Sequence, residues 1–122
     1  MATSSKRSRA VRLEKQLKVA LAERMQDWSR ENVLGGLATL NHVDLNSDFS
    51  VAKVHVSFLG DVDAKSALGT FSDLAKRDRG VLTRRLGLIR APRLDFLHDT
   101  SPDFRERLDT LMVASKRRGE RQ

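Results

Sequence analysis

The sequence predicts an α+β fold: a single domain in which a three-stranded sheet is covered on one side by helices. Three observations lead there. Apolar residues recur at helical spacing over Leu13, Leu17, Ala20, Leu21, Met25 and Trp28, and again over Ala64, Ala67, Leu68, Phe71, Leu74 and Ala75. Between these stretches, Ala52, Val54, Val56 and Phe58 alternate with Lys53, His55 and Ser57 in the period of a strand. At 122 residues, with 39% hydrophobic and 32% charged side chains, the chain is long enough to bury one core and leaves little room for a second.

Taken in order, residues 1–5 read as a flexible polar terminus and the first helix ends near Trp28. Asn32 to Gly36 carries a glycine pair and no periodicity, the mark of a loop. Leu37 to Leu45 is rich enough in apolar and β-branched residues for a strand, and Asn46-Ser47-Asp48 supplies a turn into the strand Val51 to Phe58. The two form an antiparallel hairpin, with Lys53, His55 and Ser57 pointing away from the core. Gly60 then stops the strand and Asp63 offers a capping carboxylate for the second helix.

Gly80 interrupts the helical pattern, which resumes through Val81, Leu82, Arg84, Arg85, Leu86 and Ile89 as a third helix set at an angle to the second; Gly87 weakens its end. Pro92 closes it, and Leu94, Phe96 and His98 alternate with Asp95, Leu97 and Asp99 in a third strand. Ser101-Pro102-Asp103 begins a last helix carrying Phe104, Leu108, Leu111 and Met112 on one face, followed by a basic tail over residues 116–122. The order is α-β-β-α-α-β plus a C-terminal helix.

Charge is distributed unevenly along this frame. Lys and Arg number 23 against 16 Asp and Glu, a formal charge of +7, so a polyanion gains affinity by releasing counterions on contact. Lys6, Arg7, Arg9, Arg12, Lys15 and Lys18 make the start cationic, whereas residues 37–73 are mildly acidic. From residue 76 to 93 come Lys76, Arg77, Arg79, Arg84, Arg85, Arg90 and Arg93, with Asp78 the only acid. Arginine dominates there, as suits a surface that grips phosphates with a planar donor fork. These residues with Gly80, and secondarily Lys6, Arg7 and Arg9, are the candidate nucleic-acid-binding set.

Other chemistry finds little footing. The absence of cysteine excludes disulfides and thiolate metal sites. His42, His55 and His98 fall in three different strands without a close-spaced ligand motif, so no metal or other cofactor is expected. No serine sits in a glycine elbow, and the acids are not clustered as a metal-dependent nuclease needs. Most aromatic residues fall on core faces, which leaves recognition to shape and backbone charge. No apolar run approaches membrane-spanning length, and a cytoplasmic, membrane-free monomer is the simplest expectation.

Three segments together carry a resemblance to a known family. They are the basic first turns running into Val11-Arg-Leu-Glu14, the strand Val51-Ala-Lys-Val-His-Val-Ser-Phe58, and Arg90-Ala-Pro-Arg-Leu-Asp-Phe-Leu-His-Asp99. With a glycine at the helix junction, they make the chain resemble ribosome-binding factor A over residues 6–115. The resemblance implies a KH-like domain of type II, in which a kink that usually reads Ala-x-Gly replaces the GxxG loop by which ordinary KH domains clamp nucleotides. Here the kink reads Asp78-Arg79-Gly80. An aspartate can cap the third helix, yet a carboxylate beside bound RNA is unfavourable. The family's frequent Asp-Pro-Arg loop is also missing, replaced by Glu31 to Gly36.

The resemblance further implies a non-catalytic assembly factor. It would bind the free, immature small (30S) ribosomal subunit with its precursor rRNA and support rRNA maturation and processing of the 5′ end. The alternatives are a helix-turn-helix DNA-binding module built on the second and third helices, against which the flanking strands argue, and a small basic protein-interaction domain.

Overall fold

The computed structural model describes residues 2–32 and 34–100, with side chains from residue 8 onward. Six elements follow one another: α1 (Ala2–Glu31), β1 (Gly36–Leu45), β2 (Val51–Gly60), α2 (Ala64–Arg77), α3 (Arg79–Leu86) and β3 (Arg93–His98). This is the α-β-β-α-α-β order and the three-stranded α+β architecture read from the sequence. The expected C-terminal helix and basic tail lie outside the described residues. The backbone of α1 is already helical at Ala2, where a flexible terminus is expected, and continues past Trp28 to Glu31.

The sheet order is β1-β2-β3. The Asn46–Ser50 turn returns the chain directly, so β1 and β2 pair antiparallel, with Val43 opposite Val54. The path through α2 and α3 instead brings β3 alongside β2 in parallel, with Phe96 beside Val54. Residues paired across strands share a face, so Val43, Val54 and Phe96 line up on the helix side.

That side holds the core. Leu17, Ala20, Leu21, Met25 and Trp28 of α1 are all buried, as the helical spacing requires; Ala20, Leu21, Met25 and Trp28 meet Val54, Val56, Phe71, Ala75 and Leu82, while Leu17 packs with Val43 and Ala52. Trp28 lies 6.0 Å from Phe71 and 6.4 Å from Phe96, centroid to centroid, with Phe58 stacked on Phe71 at 6.5 Å. Each large apolar side chain so buried contributes about 1.5–3 kcal/mol.

Local signals set the boundaries. The Asp63 carboxylate accepts the Ser66 amide at 3.2 Å and caps α2. Gly87 ends α3 in the left-handed conformation (φ 65°), as a helix C-terminus favours. Gly36 is fixed by proximity, since a Cβ there would stand 2.2 Å from the Leu59 carbonyl oxygen.

Two expectations need correction. Ser57, expected to face outward, is buried: a bulge between Leu40 and His42 frees Asn41, whose amide donates to Ser57 Oγ and to Asp99, each at 2.8 Å. Ile89, expected on the apolar face of the third helix, lies beyond its end and is fully exposed, because Gly87 stops the helix first. Phe49 sits in the hairpin turn between β1 and β2 with φ 63°.

Candidate nucleic-acid interface

The junction between α2 and α3 is made at Asp78, not at Gly80. Asp78 ends α2, begins α3 and makes no side-chain cap to α3. Its carboxylate turns inward instead. It accepts from Trp28 Nε1 at 2.7 Å, from Arg24 at 2.6 Å and from the Arg77 guanidinium at 2.9 and 3.0 Å. Only 8% of the residue is exposed, so the acid is withdrawn from the surface where RNA contact is expected. The Arg77 hydrogen bonds lead in holding this carboxyl well below the usual carboxylate range; burial opposes them, while Trp28 and Arg24 reinforce them.

Gly80 carries no comparable constraint. It lies inside α3, and a Cβ added there would meet nothing within 4 Å. The residue that ties the two helices to α1 is therefore the aspartate, which sequence reasoning took for a cap or a liability. A polar residue spaced from Trp28 by no local period gives no signal of such a contact.

The candidate cations divide into two groups. Arg77 bonds Asp78 and reaches Glu31 at 3.3 Å, Arg85 pairs with Glu23 of α1, and Arg93 pairs with Asp95 at 3.1 Å. Their charge is partly spent within the fold; the Arg85 hydrogen bond, for example, lowers the Glu23 carboxyl below its ordinary value. Among the described residues, Lys76, Arg79, Arg84, Arg90 and Arg9 have no carboxylate within ion-pair reach. All five are exposed. Arg79 also donates to the Ala91 carbonyl at 2.9 Å, fastening the start of α3 to the segment that enters β3. Lys6 and Arg7 belong to the α1 backbone, and their side chains lie outside the described part of the structure.

Two cavities open on this basic side and share Pro92. One, of about 240 Å³, has Lys76, Arg79 and Arg93 among its lining residues, with apolar residues including Leu17, Ala75 and Leu82. The other, of about 290 Å³, has Arg9, Arg12 and Arg90 beside Phe49 and Leu86. Among the described residues, no acidic side chain lines either cavity. The stretches 9–12 and 76–93, read separately as basic in the sequence, are thus brought towards each other around the 87–92 loop.

On the sheet, the hairpin register sets His42 opposite His55, and both ring Nε2 atoms face Asp44, at 2.7 and 3.2 Å. Burial pushes the Asp44 carboxyl up, but the two histidine contacts outweigh it and leave it lowered. Sequence separation concealed this pairing. No group of three His, Asp or Glu among the described residues is arranged to hold a metal ion.

A family model described as ribosome-binding factor A matches residues 9–112 of the chain. The chain belongs to the ribosome-binding factor A family. Ribosome-binding factor A of Buchnera aphidicola (subspecies Cinara cedri) is 34% identical over 97 residues, covering 77% of this chain and 84% of the relative. That of Cupriavidus metallidurans is 37% identical over 94 residues, covering 77% and 75%. Among solved structures, the crystal structure of ribosome-binding factor A from Thermus thermophilus aligns with a TM-score of 0.62 at 37% identity, over 73% of this chain and 94% of that one. A homology model of the Thermus thermophilus factor, fitted into the cryo-EM map of a 30S complex with that factor, aligns at 0.58 and 38% identity, over 70% and 90%.

The stretch matched to ribosome-binding factor A takes in the whole paired-cavity surface from Arg9 onward and leaves Lys6 and Arg7 outside it. Within this member of the family, an inward-turned aspartate occupies the helix junction, so the carboxylate that the sequence sets in the basic segment is withdrawn from its surface and engages Arg24, Trp28 and Arg77.

Proposed function

We propose that this protein binds the free, immature small ribosomal subunit and holds its precursor rRNA in one conformation, supporting rRNA maturation and processing of the 5′ end. It acts in the cytoplasm, as a monomer, by binding energy and without bond chemistry. The observation that carries this reading is a set of exposed cations, Lys76, Arg79, Arg84 and Arg90, with no carboxylate in ion-pair reach among the described residues, on a member of a family for which a homology model was fitted into the map of a 30S complex. Such a surface suits phosphate oxygens, which fix position without reading sequence. The 87–92 loop and the α2–α3 junction are its centre; Arg9 extends it, while Lys6, Arg7 and residues 116–122 are peripheral.

The test is sedimentation of the tagged protein through sucrose gradients of cell lysate at low and high salt, probed for small-subunit and precursor rRNA. Co-migration with free small subunits but not whole ribosomes, lost at high salt, is the expected result. A position at the top of the gradient at both salts would contradict it.

A further inference from the structure

The cavity beside the hairpin turn has features that a surface of phosphate contacts does not need. Its volume is about 290 Å³, and it brings Arg9, Arg12 and Gln16 of α1 together with Phe49 and Arg90 around a leucine wall. Phe49 is the one non-glycine residue with positive φ among the described residues. Bulky side chains rarely adopt that conformation, and it persists where surrounding structure imposes it.

The surroundings here do so. The Phe49 amide donates to the Asn46 carbonyl at 3.1 Å, the Val51 amide to the Asn46 side chain at 2.9 Å, and the Arg93 amide to the Ser50 carbonyl at 2.8 Å. The turn is thereby tied to the start of β3. Phe58, Phe71 and Phe96 pack in the central core, whereas Phe49 belongs to neither buried cluster. A turn that fixes a half-buried ring at a cavity with three guanidinium groups, and outside the core, is built to present that ring.

The electrostatics select the occupant. Among the described residues no acidic side chain lines the cavity, and Glu14, the acid on this stretch of α1, is turned to accept the Leu45 amide at 3.1 Å. Gln16 offers both a donor and an acceptor, as the edge of a base requires. A duplex presents its phosphates but keeps its bases stacked; single-stranded RNA can splay a base into a pocket against an aromatic face.

We propose that this cavity receives one unstacked nucleobase of single-stranded RNA, with Phe49 as its stacking face and Arg9, Arg12 and Arg90 holding the flanking phosphates. The inference rests on the RNA-binding reading above and deepens it, since binding then discriminates strand state as well as charge.

Fluorescence anisotropy with the full chain tests this, using a labelled short single-stranded oligoribonucleotide and its fully paired duplex. Phe49→Leu keeps apolar bulk without the ring and is expected to weaken single-strand binding about fivefold or more while leaving duplex binding unchanged. Phe49→Tyr should match the native protein on both. Equal single-strand affinity for native and Phe49→Leu, or an equal loss on both RNAs, would overturn the proposal and leave small-subunit binding standing. Failure of the native protein to bind either RNA would bring down the broader reading as well.

Crosslinking of a strand bearing 4-thiouridine to the unaltered protein needs no variant to fold. Attachment within residues 9–16 or 46–50 is expected; attachment confined to α2 and α3 would refute the site. An acidic peptide that displaced the RNA with the same dependence on Phe49 would reassign the cavity to a protein partner.

Discussion

Replacing Asp78 by alanine removes an acceptor shared by side chains of α1 and α2, and the structure allows the cost to be worked out. Trp28 is fully buried, so its indole N–H, now 2.7 Å from the carboxylate, would be left without that acceptor, a loss of about 1–3 kcal/mol. Arg24 is 24% exposed and retains Asp27 at 3.6 Å, so water and the remaining carboxylate offset most of its loss, leaving about 1 kcal/mol. Arg77 is half-exposed and regains solvent, so it adds nothing to the sum. The total is about 3 kcal/mol, equivalent to a fall of about 12 °C in Tm for a domain of this size.

Thermal unfolding followed by circular dichroism and by the fluorescence of Trp28, the single tryptophan, measures this directly. Asp78→Asn keeps an acceptor for the indole and should lose only about half as much. Combined with Trp28→Phe, Asp78→Ala should show a coupling of about 1–2 kcal/mol, because each change removes the other's partner. An Asp78→Ala protein melting within two or three degrees of the native one would refute the reasoning. So would equal losses for alanine and asparagine.

Other consequences are as specific. Because the folded state lowers the Asp78 pKa, its contribution is complete above the unfolded value of about 3.9 and disappears as pH falls towards the folded one. The stability difference between native protein and Asp78→Asn should therefore shrink below about pH 4 in urea titrations; a difference that grew in acid would reverse the assignment. Gly36→Ala forces a Cβ to 2.2 Å from the Leu59 carbonyl and should cost about 1–3 kcal/mol, whereas Gly80→Ala fills open space inside α3 and should stabilise by about 0.5–1 kcal/mol. Opposite signs in denaturant melts are expected, and a destabilising Gly80→Ala would restore a structural role to that glycine. Arg84 has no acidic partner among the described residues whereas Arg85 is paired with Glu23, so Arg84→Ala should weaken RNA binding more than Arg85→Ala in parallel titrations. Equal losses would mean that internal pairing does not matter.

Periodicity made most of the fold legible. Leu17, Leu21, Met25 and Trp28 of α1, and Ala67, Phe71 and Ala75 of α2, announced buried faces because burial repeats with the helix. Asp63 and Gly87 likewise act through local chemistry and could be read directly. Ser57 could not, since the bulge that delivers Asn41 to it arises from a register shift between two strands. The same limit hid Asp78: its partners Arg24 and Trp28 lie 54 and 50 residues away, and a contact between helices has no period. The basic stretch was visible as composition, but its division into paired and unpaired arginines depends on acids contributed by α1 and β3.

The central claim is that the unpaired cations carry small-subunit binding, and the most direct measurement is a titration of purified small subunits with native protein and with a Lys76→Ala/Arg84→Ala/Arg90→Ala variant at two salt concentrations. The account predicts a native melting profile for the variant, markedly weaker binding, and a salt dependence reduced by about one unit of slope for each phosphate contact removed. A folded variant that bound small subunits with native affinity and native salt dependence would contradict it.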